Sequence, residues 1–116
     1  MEIRKDGATM AAQSFEQIVS FFDEHLRNSG RRFYSEFYIG ITNDVNRRLF
    51  QEHNVNRKTM WWVYSTATSK DVAERVEKYY LGKGMRGDTG GGTPESTIVY
   101  CYAVAPTTND GVSQNA

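Results

Sequence analysis

The sequence predicts a small α/β domain, a three-stranded sheet flanked by helices in the order α-β-α-β-α-β. Three observations carry this. Apolar residues recur at helical spacing in two long stretches, and three short runs are rich in β-branched and aromatic residues. Glycine or a Ser/Thr/Asn/Asp cap residue marks most of the junctions between them. At 116 residues a single domain is expected. Its limits are set at 13–105, between loosely ordered polar ends at 1–12 and 106–116. Aromatics make up 13% of the chain, so each buried position carries a large apolar surface.

The first helix spans 14–30. Ser14 is its N-cap, Phe15, Ile18, Val19, Phe22 and Leu26 form one stripe, and Gly30 ends it. "RRFYSEFYIGIT" (31–42) then reads as a strand, firmest at 36–42. A short helix follows at 43–54, capped by Asn43 or Asp44, with Val45 and Leu49 turned inward. The second strand, 59–67, sets Met60, Trp62, Tyr64 and Thr66 on one face and Trp61, Val63 and Ser65 on the other. The second long helix, 68–81, starts at Thr68 or Ser69 and buries Val72, Ala73, Val76 and Tyr80, with Gly82 and Gly84 stopping it. A glycine-rich loop (83–96) leads to the third strand, "TIVYCYAV" (97–104).

Several functional classes are disfavoured at once. No run approaches the roughly eighteen apolar residues of a membrane span. The basic residues near the N-terminus have no apolar stretch behind them, so a secretory signal is not expected and a cytoplasmic location is. Cys101 is alone, which argues against a disulfide framework. The glycines of "GKGMRGDTGGG" lack the Gly-Lys-Ser/Thr ending of a phosphate-binding P-loop. The net charge is zero but uneven: residues 26–58 hold seven basic side chains against three acidic, and 1–25 hold two against five. A basic middle suits local binding of a polyanion.

The chemistry-bearing residues that remain are Tyr38, Arg47, Arg48, His53 and Glu77. Singly, each has an ordinary structural explanation, such as a core tyrosine or an Arg48–Glu52 helix pair. Their spacing adds something. "YIG" at 38–40, followed by "ITNDVNRRL", resembles the second signature of the GIY-YIG nuclease family. There a strand ending in Tyr-Ile/Val-Gly runs into a polar turn and a helix bearing an essential arginine. Eight residues past the motif glycine lies Arg48. "AERVEKYYL" (73–81) looks like the family's metal-binding helix and puts the carboxylate at Glu77.

The resemblance spans roughly 33–81 and implies a metal-dependent endonuclease acting on nucleic acid, DNA by expectation. It implies one Mg²⁺ (or Mn²⁺) held by Glu77, with Arg48 balancing phosphate charge and Tyr38, assisted by His53, handling a proton. The family's first strand, Gly-Ile-Tyr, has no counterpart, because 14–30 reads as helix. The third strand is expected to fill that place beside 36–42, so that Tyr100 or Tyr102 stands in for the absent tyrosine. His53 falls thirteen residues after Gly40, one later than the family pattern, where Glu52 sits. Arg47, Arg57, Lys58, Lys83 and Arg86 are the expected nucleic-acid contacts. Self-association or a protein partner stays open, as does an inactive relative that only binds.

Overall fold

A computed structural model of the chain describes residues 11–87 and 93–110. The expectations for 1–10, for 88–92 of the glycine-rich loop and for 111–116 lie outside the described residues. The rest is a mixed α/β structure with a three-stranded antiparallel sheet and three helices. Among the described residues no helix is long and apolar enough to cross a membrane.

Helix α1 spans Phe15–Arg27. Ser14 starts it with a reciprocal capping box: its hydroxyl accepts from Gln17 N, and the Gln17 side chain accepts from Ser14 N. The helix stops at Asn28, two residues before Gly30 (φ +82°). Helix α2 spans Lys70–Lys83, capped by the Ser69 hydroxyl and ended by Gly84 (φ +117°), a backbone angle that favours glycine. Gly82 therefore lies inside the helix rather than at its end.

The strands are β1 (Phe37–Thr42), β2 (Trp62–Thr66) and β3 (Ile98–Ala103). Their spatial order is β1-β3-β2, and both outer strands run antiparallel to β3. The last strand in sequence thus fills the centre, directly beside β1. Tyr38 is paired with Tyr102 and Gly40 with Tyr100; across β3, Trp62 lies opposite Tyr102 and Tyr64 opposite Tyr100.

Strand alternation sorts the side chains into two cores. Phe37, Ile39, Val63, Val99, Cys101 and Ala103 face α1 and α2, meeting Ile18, Phe22, Val76 and Tyr80. Tyr38, Trp62, Tyr100 and Tyr102 face the other way, against Val45, Leu49 and Val55 of the segment joining β1 to β2. With both faces covered, β1 is buried at five of its six positions, which explains why its sequence lacks alternation.

The segment after β1 departs from the expected α-helix. Thr42 Oγ1 accepts from Asp44 N, and Asp44 Oδ1 accepts from Arg47 N, so Asp44 rather than Asn43 starts the turn. Residues Asn46–Glu52 then form a π-helix, closed by His53 N donating to the Arg48 carbonyl five residues back.

Residues 106–110, expected to be part of a disordered tail, are a packed turn instead. Thr108 Oγ1 donates to the Ala105 carbonyl, Asn54 Nδ2 donates to the Thr107 carbonyl, and Asn109 N donates to the His53 carbonyl. Small polar residues here make the turn by local side-chain hydrogen bonds, so the lack of apolar period was misleading.

Candidate functional site

The π-helix decides where His53 points. In an α-helix a one-residue slip turns a side chain by about 100°. A π turn absorbs one extra residue, so Arg48 and His53, joined i to i+5, come to the same side. Both reach Tyr100 at the centre of the sheet: Tyr100 Oη lies 2.8 Å from His53 Nε2, and Arg48 Nε donates to it over 3.4 Å.

The protonation of His53 follows from its other partner. His53 Nδ1 is 2.8 Å from the Asn109 carbonyl, which can only accept, so in the neutral ring Nδ1 carries the proton. Tyr102 Oη shares that proton at 3.0 Å while donating its own to Asp110 Oδ1 at 2.5 Å. Nε2 is thereby left as an acceptor, and Tyr100 donates to it. The result is a phenol, a base and an orienting shell, the arrangement by which a hydroxyl is activated.

His53 and Tyr102 are fully buried, and Tyr100 is 1% exposed. Burial pushes the His53 imidazole below its ordinary range, and the Arg48 charge adds to this against the opposing pull of Asn109, Asp110 and Glu52. Burial likewise raises the Tyr100 phenol, outweighing the Arg48 cation, so Tyr100 is neutral near pH 7. The Tyr102 phenol is raised by burial and by its bond to Asp110. For Arg48, burial works against the charge but the Glu52 carboxylate and Tyr100 outweigh it, so the guanidinium stays charged.

Tyr38 packs in the same group. Its ring is 4.7 Å from that of His53 and stacks on Tyr102 at 5.2 Å and Tyr100 at 6.3 Å between centroids. Gly40 makes room for this: a Cβ there would sit 2.5 Å from Cζ and Oη of Tyr100. Four expected residues, Tyr38, Arg48, His53 and Tyr100, thus share one face of the sheet.

Glu77 is carried by α2, the layer across β1, and is only 4% exposed. Its charge is among those that raise the Tyr100 phenol. Among the described residues no three His, Cys, Asp or Glu side chains converge as a ligand group. A single carboxylate with water and phosphate oxygens completing the shell is a donor set that suits Mg²⁺. Glu77 fits that requirement in its chemistry.

Comparison with known proteins finds no matching family model, no matching curated protein and no matching solved structure.

The expected nucleic-acid contacts do not form one patch. Arg47 Nε pairs with Glu52 Oε2 at 3.2 Å, beside the 2.7 Å pair between Arg48 Nη1 and Glu52 Oε1. Arg57 lies 3.9 Å over the Phe50 ring and donates to Asn46 Oδ1. Lys58 is exposed in the adjoining turn, and Lys83 sits over Tyr79 in the other layer. Arg86 spans two segments, donating to the Ser35 carbonyl and to Asp110. Trp62 is core, with Nε1 donating to the Arg57 carbonyl.

Sequence reading missed Asn109 and Asp110, which orient the histidine and Tyr102. The only signal was the Thr-Thr-Asn-Asp-Gly run at 107–111, a turn signature set in a polar stretch.

Proposed function

We propose that this protein is a metal-dependent nuclease of the GIY-YIG kind, hydrolysing phosphodiester bonds in nucleic acid. One observation carries the reading: the Tyr100 hydroxyl is held between a base, His53 Nε2, and a cation, Arg48 Nε, on the face that Tyr38 shares. The place of β3 beside β1 supports it, because Tyr100 then occupies the region left open by the absent first signature.

In this reading Arg48 binds a non-bridging phosphate oxygen and balances the charge that grows as water attacks. Glu52 now occupies that guanidinium, so substrate phosphate takes over from the carboxylate. Tyr100 need not ionise. As it accepts a proton from the attacking water it passes its own to His53 Nε2, and the Asn109 carbonyl and Tyr102 stabilise the imidazolium through Nδ1–H. Glu77 would hold the Mg²⁺, which supplies positive charge to the phosphate and the leaving oxygen.

A second reading keeps the fold without catalysis, as a module that binds nucleic acid or a protein. The burial and mutual hydrogen bonding of Tyr100, His53 and Tyr102 favour it, because a satisfied polar network also serves simply to fix a core. Incubation with plasmid and single-stranded DNA, in Mg²⁺, in Mn²⁺ and in chelator, separates the two. The nuclease reading expects metal-dependent cutting that Arg48→Ala and Glu77→Ala each lower about 100-fold or more. Undiminished cutting in Glu77→Ala, or none by the wild type, rejects it.

A further inference from the structure

A cleft of about 300 Å³ lies between the last turn of α1 and residues 31–37, apart from the tyrosine–histidine group. Its lining brings together Arg27, Arg31, Arg32, Phe33 and Tyr34. All five are exposed. Phe33 at 63% and Tyr34 at 38% are the large hydrophobic side chains left exposed among the described residues, and both line this one cleft.

Two carboxylates stand close by: Asp23, which is in the lining itself, and Glu36. Asp23 Oδ1 accepts from Tyr80 Oη at 2.7 Å. Glu36 Oε2 accepts from the backbone amides of Arg32 and Phe33, which hold its carboxyl below the usual range, and the Arg31 charge helps to lower it. No ion pair joins Arg27, Arg31 or Arg32 to another of the described residues. Exposed rings beside three guanidinium groups that make no ion pair, with one carboxylate in the lining, are a surface complementary to a ligand with flat apolar faces and repeated negative charge.

We propose that this cleft binds an unpaired nucleic-acid strand, one base stacking on Phe33 and Tyr34 while the phosphates on either side meet Arg27, Arg31 and Arg32. The class of ligand rests on the nuclease reading above. The volume is at the lower end of the usual range for ligand sites and suits one nucleotide of a strand. A base offers its ring faces to an aromatic side chain only when it is unstacked and unpaired, which selects single strands over duplex. The cleft is also joined to the candidate site. Phe37 belongs to its lining and Tyr38, the next residue, projects from the opposite face of β1. Arg86 ties the Ser35 carbonyl to Asp110, the partner of Tyr102. A strand held here is anchored at the end of β1 that carries Tyr38.

The test is fluorescence anisotropy of a labelled oligothymidine about a dozen nucleotides long, with the full chain in chelator so that nothing is cut. Wild type binds; Phe33→Ala weakens binding about 5-fold or more. The Arg31→Ala/Arg32→Ala double variant lowers the slope of log affinity against log salt by about 1.4. Lys70→Ala, which removes one positive charge from α2, leaves affinity unchanged. A duplex of the same length and free thymidine monophosphate each bind far more weakly than the oligonucleotide. Absence of wild-type binding, an unchanged Phe33→Ala or double variant, or equal affinity for duplex or mononucleotide overturns the proposal. Strand binding lost in Phe33→Ala, in a protein that cuts nothing in Mg²⁺, upholds the cleft and rejects only the nuclease reading.

Discussion

The two faces of the sheet solve the same burial problem with different chemistry. Toward α1 and α2 the strands present Ile39, Val63 and Val99, which have only shape to satisfy. Toward the π-helix they present Tyr38, Tyr100 and Tyr102, whose rings are buried equally well but whose hydroxyls demand partners. The first face is held by volume and tolerates any filling that packs. The second is held by geometry, because each oxygen fixes the angle of its neighbour.

Adjacent residues of β1 give the largest expected effects and should fail in opposite senses. Ile39→Ala leaves a void on the apolar face and is expected to lower stability by about 2–5 kcal/mol. Gly40→Ala does the reverse, crowding the Tyr100 ring, and should cost about 1–3 kcal/mol. Urea unfolding measures both. A neutral Gly40→Ala would mean that Tyr100 moves aside easily, and the contrast between the faces would collapse.

The helices and strands were legible because their signals are local. Ser14 and Ser69 cap, Gly84 terminates, and the stripe of Ile18, Phe22 and Leu26 follows helical period. Strand order was harder, since it depends on pairing across some sixty residues between β1 and β3. Legibility failed at the π turn and at 106–110. Nothing in "NRRLFQEHN" distinguishes five-residue from four-residue hydrogen bonding, and a polar turn that docks on a histidine looks like a polar tail. Those two features aim His53, so its orientation was the least readable part of the site.

Removing one hydroxyl from each face sharpens the contrast by sign. Tyr102→Phe deletes the bond to Asp110 and should lower stability by about 1–2 kcal/mol. Ser65 is buried beneath the helices, and its hydroxyl has no hydrogen-bond partner among the described residues. Ser65→Ala should therefore raise stability by about 1 kcal/mol. Equal signs would show that the apolar face also relies on polar contacts.

The smallest effect is a pH dependence confined to the tyrosine face. Folding lowers the pKa of His53, so the unfolded chain binds a proton near pH 6.5 that the folded protein takes up only at lower pH. Its contribution is present above about pH 6.5 and is lost as pH falls through the folded value. Urea midpoints at pH 7.5 and 5.5 should decline less in His53→Gln than in wild type. An identical decline would place the titrating group elsewhere.

The π-helix also makes the length of the chain, not only its composition, a determinant of this site. Inserting one residue between Leu49 and His53 would exceed the single extra residue that the π turn absorbs, while Leu49 stayed in its place. His53 would then swing about a quarter-turn away from Tyr100. A change invisible to hydropathy and to composition would unmake the base–phenol pair and leave the fold standing, so the spacing from Arg48 to His53 is itself part of the chemistry.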